Sequence, residues 1–269
     1  MDEYLADYDS YTKQIVYNFK LGNGGIGDCC KFFMCLLCIC VTNKYKIRYL
    51  INNIAIEKHI LLKNSQFYIN SNELPDNFII ADTIEQVYES DCILITPHVL
   101  YHVYNYNELF IHAQDVFKFS NIIQNNYYRL FPKDIDNYVS IHMRLGDKYL
   151  ETDRSFVVCK EDERQFDERS TFKFIEDNSH LNIVFFCDNN QYKQLIKSRY
   201  PNLIITNCNI GHTSLSNTTE QQLIDTVTEF YILCNSTHIY SASSFSGFSI
   251  MASKFKNIPL TNLCGISQG

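Results

Sequence analysis

Short apolar runs bounded by polar turns alternate along this chain with longer segments whose apolar residues recur at helical spacing. The runs predict strands over Gln14–Lys20, Tyr45–Ile51, Phe78–Ile80 and Cys92–Thr96 in the first half. In the second half they predict strands over Tyr138–Met143, Asn182–Cys187, Asn202–Thr206 and His238–Ser241. Helices are predicted from Asp28 to about Val41 and over Asn121–Leu130, Asn190–Ser198, Thr219–Cys234 and Phe248–Phe255. Strands alternating with helices imply parallel sheets and an α/β fold. The polar stretch Phe131–Asn137 interrupts the pattern, which then restarts with a strand, so the chain divides into domains at 1–136 and 137–269. The mixed-sign stretch Lys160–Arg169 reads as a solvated loop or helix face.

The first strand runs into Leu21-Gly-Asn-Gly-Gly-Ile-Gly-Asp28 and then an apolar helix, the opening of a Rossmann-like unit. The loop spaces its glycines as G-x-G-x-x-G at 22, 24 and 27, but no acidic residue follows at the expected place after the second strand, which argues against a nicotinamide cofactor. Of the 11 cysteines, several sit in the apolar run Cys29–Cys40, where they act as small hydrophobes and not as a disulfide framework. Cys35 and Cys38 form an isolated C-x-x-C pair in apolar surroundings, so no metal site is expected. That run reads as shorter than the ~20 apolar residues a bilayer demands. With no basic leader or cleavage site before it, the expected location is a reducing cytoplasm, without a transmembrane segment. The net charge of −7 offers no footprint for nucleic acid or an anionic membrane.

Candidate chemistry concentrates at strand ends. Tyr138-Val-Ser-Ile-His-Met-Arg-Leu-Gly-Asp-Lys148 places His142, Arg144 and Asp147 at the tip of a strand, where an open α/β sheet binds its ligand. The planar guanidinium of Arg144 suits a phosphate or diphosphate, and Gly146 lets the backbone turn. The plainer alternative is a strand end whose Arg144 and Asp147 pair with each other. Asp188 follows the strand Asn182–Cys187 and can either accept from a nucleobase or cap the next helix. Ser241-Ala-Ser-Ser-Phe-Ser-Gly247 leads into the last helix, as an anion site or a simple N-cap.

The order of these features resembles the superfamily of α-1,2-, α-1,6- and protein-O-fucosyltransferases. His142-Met-Arg-Leu-Gly-Asp-Lys148 matches its H-x-R-x-[GT]-D block, and Asp225-Thr-Val-Thr-Glu-Phe…Ile239-Tyr-Ser-Ala-Ser-Ser-Phe-Ser246 is similar to its C-terminal block. The resemblance implies a GT-B architecture, two Rossmann-like domains facing across a cleft, with the acceptor on the first domain and the donor on the second. The last helix is a candidate to pack back on the first domain. The implied reaction is inverting, metal-independent transfer of fucose from GDP-fucose to a glycan hydroxyl, with no other cofactor. Arg144 would grip the diphosphate, His142 would lie against the nucleotide, Asp188 would hold the guanine edge, and Ser243, Ser244 and Phe245 would line the donor pocket. Gly24, Gly25 and Gly27 would border the cleft, while Asp147 and Asp225 would give structural support. Glu151 is the implied general base, with Asp153 the neighbouring option. Leu145 departs from the family, many members of which carry a second arginine there. Another nucleotide sugar, or a catalytically silent nucleotide- or glycan-binding module, is the alternative. Acceptor and oligomeric state are not legible.

Overall fold

A computed structural model describes residues 1–101, 109–132, 135–149 and 164–264. These fall into two compact units, Met1–Lys118 and Phe119–Gly269.

The first unit runs α1 (Asp2–Ala6), β1 (Gln14–Tyr17), α2 (Ile26–Asn43), β2 (Lys46–Leu50), β3 (Ile60–Leu62), β4 (Tyr68–Ile69), β5 (Ile79–Ile80), β6 (Cys92–Ile95), α3 (Pro97–Leu100) and α4 (Ala113–Val116). Strand β7 (Phe117–Phe119) leads out of it. Its main sheet is parallel, in the order β4-β2-β1-β6-β5. Succession along the chain therefore leaves β1 first toward β2 and later toward β6, which makes the C-terminal ends of β1 and β6 a topological switch point.

Helix α2 dominates this unit's core. Its first turn is held by Asp28, whose carboxylate accepts from Gly25 N–H at 3.0 Å and sits at the helix's positive end. Phe32, Phe33, Leu36, Leu37 and Cys40 are fully buried along it, and Phe33 packs against Tyr17, Tyr49 and Phe117. The sequence reading of this helix as too short for a bilayer is corrected: three residues before the Cys29–Cys40 run and three after it extend the helix to 18 residues, Ile26–Asn43, long and apolar enough to cross a membrane by length and composition. In the structure most of it is buried inside the unit. Cys35 and Cys38 are among the buried residues of this helix.

The second unit comprises α5 (Asn121–Leu130), β8 (Val139–Met143), α6 (Glu168–Asp177), β9 (Ile183–Cys187), α7 (Asn190–Arg199), α8 (Glu220–Leu233), β10 (His238–Ser241), α9 (Gly247–Lys256) and β11 (Leu260–Asn262). Helix α5, expected in the first domain, belongs here because it packs on α8. Asn126 Nδ2 donates to Thr228 Oγ1 at 2.9 Å, and the rings of Tyr127 and Tyr231 meet edge to face at 5.3 Å. The division therefore falls before α5 and not at 136/137. Helix α9 packs within the same unit, through Phe255 on Phe230.

The sheet is parallel, ordered β11-β10-β8-β9. Ile141, Met143 and Leu145 alternate onto one face with Ile183, Phe185 and Cys187, forming a core with Ile175 of α6 and Ile196 of α7. The residues between them, such as Ser140, His142, Val184 and Phe186, are buried too, as a sheet covered on both faces requires. The strand expected over Asn202–Thr206 reduces to a single bridge between Val184 and Ile204. The chain leaves the sheet edge there as Thr206 turns inward to donate to Glu229. Helix α6 emerges from the end of the mixed-charge stretch, capped by Asp167, which accepts from Ser170 N–H at 2.9 Å. Strand β8 lies between β9 and β10, so the second switch point is at the ends of β8 and β10.

Candidate functional site

The arginine turn and the serine turn meet at that second switch point. Parallel pairing puts His142 opposite Ser241, and Ala242 N–H donates to His142 O at 2.9 Å. Beyond the strands, the Ser243 hydroxyl accepts from Arg144 N–H and donates to Arg144 O, both at 2.8 Å. Ser243 is thus fully buried and stitches two strand ends that are far apart in sequence. Gly146 takes φ +116°, the left-handed backbone that turns the chain sharply after Leu145.

Arg144 is held on both sides. Its Nη2 donates to Asp147 and its Nη1 to Asp188, and both carboxylates are buried. Asp188 also accepts from Leu145 N–H at 2.8 Å and Gly146 N–H at 3.1 Å. Its two oxygens are therefore engaged in shaping the arginine turn, so neither stands free of protein partners. Nor does Asp188 cap the following helix: Asn189 does, accepting from Tyr192 N–H at 2.8 Å. The pairing of Arg144 with Asp147 that the sequence left open is present.

His142 is buried against α9, its ring stacked on Phe248 at 5.2 Å and 20°. Its Nδ1 has no hydrogen-bond partner among the described residues. Burial, and then the positive charge of Arg144, push its pKa down to about 3, so the ring is neutral at neutral pH. A buried polar atom without a partner is uncommon in a folded chain and marks a place where a ligand atom can bind. Ser244 and Phe245 are exposed beside it, Phe245 at 51%. Ser246 precedes α9 without a side-chain cap bond, leaving the positive end of that helix at the same strand tip.

The remaining predicted residues lie elsewhere. Gly24, Gly25 and Gly27 belong to the first unit, at the switch point after β1. Gly24 has φ +113°, and a Cβ there would stand 2.5 Å from Asp28 Oδ2 and 2.6 Å from Tyr101 Oη. Tyr101 in turn donates to Asn23 O at 3.2 Å. Asp225 braces the 207–211 segment on α8, accepting from Asn209 N–H at 2.9 Å and Gln221 Nε2 at 2.8 Å. Glu151 and Asp153 lie outside the described residues.

Two groupings escaped the sequence reading. Phe248 stacks on His142, yet nothing in a single sequence links residues so far apart. Lys193 and Glu229 form an ion pair at 2.7 Å with side chains 0% and 5% exposed. The only sequence signal for it was a charged residue on the inner face of each of two helices.

The architecture, with two parallel α/β units each bearing a glycine- or arginine-bearing turn at its switch point, is that of GT-B sugar-transferring enzymes. Solved structures similar to this chain in fold include fucosyltransferases. Fucosyltransferase NodZ from Bradyrhizobium aligns with a TM-score of 0.59 at 10% identity, over 92% of this chain and 92% of that one. NodZ alpha-1,6-fucosyltransferase soaked with GDP-fucose gives 0.57 at 11% identity, covering 90% and 92%. Arabidopsis thaliana FUT1 in complex with GDP gives 0.54 at 11%, covering 97% of this chain and 74% of that one. Likeness at this identity is one of fold. No sequence family and no curated protein sequence matches the chain.

Proposed function

We propose that this protein is an inverting, metal-independent glycosyltransferase that moves fucose from GDP-fucose to a hydroxyl of a glycan. The observation that carries this reading is the convergence at one switch point of Arg144, a His142 Nδ1 with no partner among the described residues, and the start of α9, where Ser246 makes no side-chain cap bond. The fold supports it, since relatives in fold were solved with GDP or GDP-fucose.

In the proposed reaction the acceptor oxygen attacks the anomeric carbon, and the bond from that carbon to the diphosphate oxygen breaks with its electron pair leaving on GDP. Negative charge grows on the diphosphate, where a guanidinium and helix N–H groups stabilise it without a metal ion. Arg144 trades a carboxylate partner for phosphate oxygens. His142, neutral, meets the nucleotide through Nδ1, and Phe245 offers an exposed ring to it. The acceptor's proton passes to a base, for which Glu151 and then Asp153 are the candidates.

Thermal shift against GDP-, UDP-, ADP- and dTDP-sugars tests the donor. Ligand at a hundred times its dissociation constant adds ~2.7 kcal/mol of stability. GDP and GDP-fucose should raise the melting temperature equally with and without EDTA; a UDP-sugar that does as well would refute the guanine assignment. The double carboxylate pairing of Arg144 favours a second reading, a silent binding module in which the arginine is a structural brace. That reading predicts GDP-fucose binding with no GDP released, whatever acceptor is offered.

A further inference from the structure

We propose that Arg164 supplies the second cation of the diphosphate site, an inference that rests on the nucleotide-diphosphate reading above. The need for such a cation is set by charge. Arg144 brings one positive charge, and its two carboxylate partners, Asp147 and Asp188, bring two negative ones at the same spot. Both acids are buried, so water screens them poorly. A diphosphate entering this turn adds further negative charge, and the triad alone repels it. The residue next to Arg144 is no help, because Leu145 is buried in the apolar core.

The backbone brings Arg164 to this point from elsewhere in the chain. Arg164 N–H donates to Leu145 O at 2.9 Å. The residues after it run along the serine turn: Ser244 N–H donates to Gln165 O at 2.8 Å, Phe166 and Ser243 form an antiparallel bridge, and Asp167 N–H donates to Ala242 O at 3.1 Å. Arg164 is thus fastened between the arginine turn and the serine turn, beside the two groups that would meet a diphosphate. It is half-buried, where a cation acts with less screening than at the surface.

Two other described cations of this unit serve less well. Lys148 is exposed, with Nζ over the Tyr149 ring at 5.5 Å. Lys193 is committed to Glu229 in the core. An arginine at 164 also matches the fork geometry of phosphate oxygens, which a lysine ammonium does not.

Calorimetric titration of the whole chain with GDP, GMP and guanosine tests this in the wild type and in Arg164→Ala, Arg164→Gln, Arg164→Lys, Lys148→Ala and Arg144→Lys. Losing one charge-assisted contact should weaken GDP by about 10- to 100-fold in Arg164→Ala and Arg164→Gln. GMP should weaken less, guanosine should be unchanged, and Arg164→Lys should recover part of the loss. Lys148→Ala should change GDP binding by no more than about 3-fold. Equal losses for all three ligands would mean that Arg164 acts on the fold alone and would overturn the inference. So would undiminished GDP binding in Arg164→Gln. If the wild type itself binds no GDP, the proposed function fails first, and the Arg164 variants are not its cause.

Discussion

Replacing His142 with phenylalanine isolates one buried nitrogen. The Phe ring can keep the stack on Phe248, and it removes an Nδ1 that has no hydrogen-bond partner among the described residues. The imidazole in the folded protein takes up a proton only near pH 3, against an ordinary value of 6.5. Between these two values the unfolded chain binds the proton and the folded chain does not, so the stability of the wild type falls as pH falls across that window. The slope from this one residue approaches 1.4 kcal/mol per pH unit. At pH 5 the wild type should therefore have lost about 2 kcal/mol that the variant retains. At pH 7 the variant should be at least as stable, since a buried unpaired polar group costs about 1–3 kcal/mol. Urea unfolding of both proteins at pH 7, 6 and 5 reads this directly, because carboxylate titration is common to both and cancels in the difference. Parallel stability curves would refute the assignment of His142 as a buried neutral ring. GDP should bind the variant more weakly at pH 7, where stability is not impaired.

Arg144→Ala should abolish transfer, by about 10²–10³-fold or more, and by stranding the carboxylates of Asp147 and Asp188 it should also lower stability by about 3 kcal/mol, measured by urea titration. Arg144→Lys should not restore turnover. Lys193→Met should cost about 3–5 kcal/mol by leaving Glu229 buried and uncompensated, while the double variant Lys193→Met/Glu229→Leu should recover most of that loss in a thermal melt. Gly24→Ala should cost about 1–3 kcal/mol, because a Cβ there meets Asp28 and Tyr101. Gly22→Ala, at φ +91° with nothing within 4 Å, should cost only about 1 kcal/mol. Equal losses at the two glycines would mean that the loop relaxes around Gly24.

Elements that bury themselves by local pattern could be read from the sequence. The Ile183–Cys187 run is apolar at every position because its strand is covered on both faces, and α5 was bounded correctly by its amphipathic spacing. Edge elements such as β4 and β11 are too short to carry a pattern, and α6 begins inside a charged stretch whose cap, Asp167, looks like any other surface acid. The domain division was misplaced because a polar connection marks where a loop is, whereas the unit boundary depends on which distant helix α5 touches. The same limit applies in the site. The contact of Arg144 with Asp147 spans three residues and was legible, but those of Asp188 with Leu145 and of Ser243 with Arg144 exist only once the sheet is assembled.

Chain order gives the burial of α2 a consequence for synthesis. The helix is complete at Asn43, but β6, which occupies one side of β1 in the finished sheet, is not made until Ile95. At elongation rates of about 5–20 residues per second, an apolar helix of membrane-spanning character stays incompletely covered outside the ribosome for several seconds. Through that interval the nascent chain exposes a long apolar helix, and its partition between folding and capture is a race. Slowing translation between codons 43 and 95 should therefore send more of the product to chaperones or to the membrane, while leaving the finished fold unchanged.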